Sequence, residues 1–181
     1  MEISQKPTVA IVACPEYSYS AVTEAVIKAI NLIGGPQKFF SPGQRVLLKP
    51  NLLSAHQPEE AITTHPLVVQ VVAELVKQQG GEVWLGDSPG GIEREIKLVW
   101  EKTGMSELAH QLGIKLINFE TSGVVVKEKN KEKFFLARPL LEADLVVNLP
   151  KLKTHLLTCY TGAVKNIFGG VPGFKKSLYH K

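Results

Sequence analysis

Arg45 to Asn51, RVLLKPN, joins a short apolar run to a cation, a proline and an amide. The residues on its C-terminal side decide the fold. A polar loop leads to a helix opening at Pro66, with Thr64 or His65 placed to cap it. Gly80-Gly81 ends that helix, and Glu82 to Leu85, EVWL, starts the pattern again. Strand, loop, helix, strand in this order predicts crossover helices and a mainly parallel sheet.

Toward the N-terminus, the β-branched run Thr8 to Ala13 predicts a first strand. Val22, Val26, Ala29, Ile30 and Ile33 then recur at helical spacing until Gly34-Gly35-Pro36 stops them. Toward the C-terminus, the loop Gly86-Asp87-Ser88-Pro89-Gly90-Gly91 precedes a helical stretch from about Ile92, broken at Gly104 and resumed to Leu112. A strand is predicted at Ile114 to Phe119 and a hairpin at Val124 to Lys127 and Lys133 to Leu136, around Asn130. Asp144 to Leu149 reads as the last strand and Ala163 to Phe168 as the last helix. The expected class is α/β: a mainly parallel sheet with helices on both faces, a Rossmann-like three-layer arrangement with a small β-hairpin insertion. Residues 1–181 are read as a single domain. Gly169-Gly170-Val171-Pro172-Gly173 and the lysine-rich tail predict no closing element, so a portion of a longer protein is expected.

Composition narrows the class of function. The 181 residues are 44% hydrophobic and 21% charged, and no apolar run approaches the roughly 20 residues that span a bilayer. The N-terminus lacks the basic start and long apolar stretch of a signal peptide, so a cytoplasmic protein with no membrane partner is expected. Two cysteines, Cys14 and Cys159, form no CxxC pair and are read as free thiols. The net charge of +4 is modest but unevenly placed: beyond Asp144 there is no acid, while Lys151, Lys153, Lys165, Lys175, Lys176 and Lys181 follow. That excess favours an anionic partner.

Ligands of open parallel sheets bind beyond the carboxyl ends of the strands. Lys49 and Asn51, Asp87 and Ser88, and Asn148, Lys151 and Lys153 follow three separate strands and could converge there, with His155, Lys165 and Asn166 close behind in the sequence. Each has a plainer reading. Lys49 can snorkel at a strand end while Asn51 makes an Asx turn. Asp87 or Ser88 can cap a helix, as can Thr154, and the lysines can be solvated. The Gly86 loop fits neither GxGxxG nor the GxxxxGK[ST] phosphate loop. His56 and His65 match no zinc spacing, so no metal ligand is assigned. Lys151 and Lys153 would face one side of an extended chain. There they could bind a carboxylate or phosphate, or one could act as a nucleophile beside a second cation. His155 could then exchange a proton or ligate a metal.

LLKPN at Leu47 to Asn51, THP at Thr64 to Pro66, GDSPGG at Gly86 to Gly91, NLPKLKTH at Asn148 to His155 and GAVKNIFG at Gly162 to Gly169 together resemble the signature series of the domain-of-unknown-function 362 family. The resemblance implies an α/β domain of a bacterial or archaeal cytoplasmic protein without an established reaction. It also implies that this chain is the N-terminal portion of a longer protein. Some relatives carry ferredoxin-type cysteine motifs for four-iron-four-sulfur clusters. This chain lacks those cysteines, so the cofactor is left unknown, no iron–sulfur cluster is expected within it, and a ferredoxin-type domain outside it is the implied partner. A more distant likeness, in architecture and lysine and histidine usage, is to the nickel-pincer lactate racemase group, with no residue-by-residue correspondence.

The leading expectation is a domain of a redox-associated or metabolic enzyme binding an acidic small molecule or cofactor. The alternatives are a non-catalytic module docking on an acidic protein or nucleic acid, and racemase-like metal chemistry. Against nucleic acid, no aromatic residues interleave with the cations as a stacking platform requires.

Overall fold

The structure is a computed structural model describing residues 7–89, 96–156 and 158–179. Gly90, Gly91, the expected helix start near Ile92, and Lys181 lie outside the described residues. Four strands form the central sheet: β1 (Arg45–Pro50), β2 (Glu82–Asp87), β3 (Lys115–Asn118) and β6 (Leu145–Leu149). Their order is β3-β2-β1-β6 and every pairing is parallel. The apolar runs read from the sequence are these strands. A bidentate pair fixes the start of the β1–β6 edge: Asp144 accepts from Arg45 Nε at 3.1 Å and Nη2 at 3.0 Å, and from its backbone N–H at 2.9 Å.

Side-chain alternation divides the sheet into two faces. Val46 and Leu48 of β1, with Val83 and Leu85 of β2, pack under α1 (Tyr19–Leu32), α2 (Pro66–Gln78), α3 (Ile96–Lys102) and α4 (Met105–Leu112). Leu47, Trp84 and Ile117 face the other way and pack with Phe119, Ala137, Leu140 of α5 (Pro139–Glu142) and Val146. The expected three-layer α/β arrangement is present, but unequally filled: four helices cover one face, and the short α5 with the end of a hairpin covers the other. That hairpin, β4 (Val124–Lys129) and β5 (Glu132–Ala137), is the expected insertion. Its turn places Asn130 at φ 53° and Lys131 at φ 66°, the left-handed pair that a two-residue hairpin turn needs.

Helix limits follow their local chemistry. His65 caps α2, its Nδ1 accepting from Leu67 N–H at 3.2 Å, and Pro66 opens the helix. Thr64, the other candidate cap, instead hydrogen-bonds strand ends. Gly104, at φ 75°, separates α3 from α4 as its position predicts.

Two expectations need correction. Thr8 to Ala13 is not a strand: the segment pairs with nothing in the sheet, and Val9 and Ile11 are 79% and 91% exposed. Its β-branched composition suits a strand, but strand formation requires a neighbouring edge as well as propensity. The tail beyond Gly170 is not structureless either, because Gly173–Tyr179 forms a 3₁₀ run. Tyr179 anchors it to the hairpin, donating to Lys133 O at 2.8 Å and accepting from Phe135 N–H at 3.1 Å.

Candidate functional site

From β1 the strand order runs outward through β2 to β3, whereas β6 is added on the opposite side of β1. The β1–β6 seam is therefore the topological switch point, where an open parallel sheet leaves a crevice beyond its strand ends. Lys49 pairs with Asn148 and Pro50 with Leu149 along this seam. The chain leaving β6 folds back over it through a two-stranded hairpin, β7 (Lys153–His155) and β8 (Cys159–Thr161), and then α6 (Ala163–Ile167).

Beneath these returning segments, at the strand ends, is a buried polar network. Lys49 is fully buried, with Nζ 2.6 Å from Asp87 Oδ1, and Asp87 Oδ2 accepts from Leu52 N–H at 3.2 Å. Asn166 Nδ2 lies 2.7 Å from Asn148 Oδ1, 3.2 Å from Lys49 O and 3.3 Å from Pro50 O. Asn148 Nδ2 in turn donates to Ala163 O at 2.7 Å. Gly169 roofs the pair: a Cβ there would stand 2.5 Å from Asp87 Oδ1 and 2.7 Å from Lys49 Nζ. Lys49, Asp87, Asn148 and Asn166 do converge, but on one another, tying α6 to the ends of β1, β2 and β6.

A second group lies toward the surface and is not self-satisfied. Lys153 Nζ reaches across to Ile62 O at 2.6 Å, and Lys151 Nζ approaches Tyr17 Oη at 3.2 Å. The Tyr17 ring stacks on His65 with centroids 4.0 Å apart. Burial pulls Lys153 below the ordinary lysine range, and the charges of Lys165 and Lys151 pull it further. Burial lowers Lys165 as well. Lys151, Lys153 and Lys165 form no ion pair among the described residues. His65 is lowered chiefly by burial, with Glu59 opposing and Lys151 reinforcing.

Ser88 follows the end of β2 and belongs to a separate polar cluster. Its Oγ accepts from Lys176 Nζ at 2.9 Å and lies 3.4 Å from both Glu120 Oε1 and Gly173 N. Lys176 also donates to Ser88 O at 2.7 Å. Burial lowers its pKa, Asp87 and Glu120 oppose the shift, and Lys49 and Lys165 add to it. Asn51 is held by its backbone: its N–H donates to Thr64 Oγ1 at 2.8 Å, and Thr64 Oγ1 donates to Leu149 O at 2.6 Å. His155 turns toward its own hairpin, where Nδ1 accepts from Thr158 N–H at 3.3 Å.

The sequence left Lys176, His65, Tyr17, Thr63 and Thr161 outside the site. His65 was legible as a helix cap, whereas the place of Thr161 opposite Lys153 depends on the β7–β8 hairpin, which the sequence reading did not contain. Lys176 stood out only as part of the basic tail. Among the described residues, no group of three or more histidine, cysteine, aspartate or glutamate side chains could hold a metal ion. Cys14 and Cys159 are both exposed free thiols; two cysteines do not fit the ligand set of a four-cysteine iron–sulfur cluster.

The family described as "Domain of unknown function (DUF362)" matches residues 46–181, a span containing all of the sheet but its first residue, the buried network and the lysine group. The chain belongs to the DUF362 family. A thylakoid-associated protein of Synechocystis sp. is 35% identical over 174 residues, covering 96% of this chain and 53% of that protein. The chain thus spans about half the length of this relative. No solved structure matches the chain.

Proposed function

We propose that this DUF362 domain binds an acidic small molecule or anionic cofactor in the crevice at the β1–β6 seam, as part of a metabolic or redox-associated enzyme. The supporting observation is Lys153: it is partly buried, electrostatically burdened by Lys165 and Lys151, and without an acidic partner among the described residues. Concentrating like charge in a poorly solvated place is unfavourable unless an anion offsets it. Lys49 and Asp87 form the rigid floor in this reading, and Lys151, Lys153 and Lys165 meet the ligand. No reaction is assigned.

The test is a native mass spectrum of the protein purified anaerobically from a bacterial host. A reproducible added mass that disappears in Lys151→Ala or Lys153→Ala supports the reading. A bare mass, together with no saturable binding of any small anion, contradicts it.

A second reading rests on a different observation. Leu152, Leu156, Tyr160, Val164 and Ile167, in or flanking the β7–β8 hairpin and in α6, are all exposed apolar side chains in the stretch of chain that carries the same lysines. An acidic protein partner with an apolar centre would suit it. Leu156→Asp together with Val164→Asp would then abolish capture of that partner and leave small-anion binding intact. Nucleic acid is disfavoured, and binding that falls steeply with salt across unrelated sequences would reinstate it.

In the leading reading the protein is cytoplasmic. No helix among the described residues is long and apolar enough to cross a membrane. Recovery with membranes after cell fractionation would count against that location and would parallel the association named for the Synechocystis relative.

A further inference from the structure

Taking the lysine crevice as a binding site, we infer that the group it binds is a phosphoryl group, held by Lys153 and Lys165 together with the hydroxyls of Thr63 and Thr161. Thr63 and Thr161 are 1% and 3% exposed, and the Oγ1 of each is buried without a hydrogen-bond partner. Buried hydroxyls are ordinarily satisfied, and an exception calls for a missing partner. Both belong to segments that Lys153 touches. Thr161 is the cross-strand partner of Lys153, so their side chains leave the same face of the β7–β8 hairpin. Lys153 Nζ reaches the carbonyl of Ile62, the residue before Thr63. Lys165 comes four residues after Thr161, in α6, and is near enough for its charge to act on Lys153.

A third unsatisfied atom belongs to the same corner. Asn51 Oδ1 is buried without a partner, on a residue whose backbone is bonded to Thr64. The remaining atoms of this kind among the described residues belong to Thr23 and Trp100, in helices α1 and α3. Unmet hydrogen-bonding capacity is therefore concentrated where the unpaired charge is.

Charge number selects the chemistry. A single carboxylate carries one negative charge and would leave the three-lysine group with excess positive charge. A phosphate monoester carries roughly −1.5 to −2 at neutral pH and offers three strong acceptor oxygens. Lysine ammoniums and threonine hydroxyls suit these as separate point donors, and Lys153 has two N–H bonds left after its bond to Ile62 O. The residual acceptor, Asn51 Oδ1, would meet a hydroxyl of the molecule that bears the phosphate.

Isothermal titration at fixed ionic strength with inorganic phosphate, glycerol 2-phosphate, malonate and acetate tests this on the whole chain. The expected result is saturable binding of a phosphate species about tenfold or more tighter than malonate. Lys165→Ala, on a partly exposed helix position, should weaken it about tenfold, and Thr161→Val should weaken phosphates more than malonate. Tighter binding of glycerol 2-phosphate than of inorganic phosphate identifies an ester ligand, and the reverse identifies the free anion. Malonate binding as tightly as phosphate would overturn the phosphoryl assignment while leaving an anion site. No binding of any of the four anions would remove both.

Discussion

Lys49 shows what a single side chain can conceal. It occupies a position that sequence reasoning gave to a ligand, yet it sits with Asp87 under Gly169, with no exposed surface. A buried pair of this kind is sensitive to one-sided loss because the remaining charge has no partner. Lys49→Met should therefore cost about 3–5 kcal/mol of stability in urea unfolding, and adding Asp87→Leu should recover much of it. Gly169→Ala forces a methyl against both charged groups and should cost about 1–3 kcal/mol, in the range of overpacked cores. If Gly169→Ala unfolds at the wild-type midpoint, the roof does not press on the pair. The sequence marked Lys49, Asp87, Asn148 and Asn166 as chemically unusual because polar residues interrupt or follow apolar runs. Whether they face a ligand or one another depends on what folds over the strand ends, a long-range property that spacing does not encode.

At the scale of elements, legibility followed how local the determining interaction was. The α2 start was readable from Pro66 and its preceding cap, and the α3–α4 break from Gly104, since both are set by backbone geometry within a few residues. Thr8 to Ala13 was misread because strand composition was present and a pairing edge was not. The β4–β5 turn is a case between these: its strands were legible, but Lys131 occupies a left-handed position better suited to glycine. Lys131→Gly should stabilise the hairpin by up to about 1 kcal/mol, seen as a higher melting temperature. A lower melting temperature would show that the lysine side chain makes contacts outweighing its backbone strain. The β7–β8 hairpin was the costliest omission, because it is what places Thr161 opposite Lys153.

For the molecule as a whole, the sheet order makes β1–β6 the switch point, and the basic final portion of the chain folds back onto it. The lysine excess visible in the sequence thus becomes a local field at one sheet edge. That field has a linkage consequence. Folding lowers the pKa values of Lys153 and Lys165, so the unfolded chain holds those protons more tightly. Their contribution is unfavourable below the lowered folded values and is relieved as pH rises from those values toward that of an ordinary lysine. A bound anion acts in the opposite direction, favouring the protonated lysines, so binding at alkaline pH must draw protons from solution. The decisive measurement is a calorimetric titration of the protein with phosphate in alkaline buffers of differing ionisation enthalpy, repeated on Lys153→Met. Saturable binding with net proton uptake, both reduced in the variant, is the predicted result; no binding, or binding that takes up no protons and is unchanged by Lys153→Met, would contradict an anion site at these lysines.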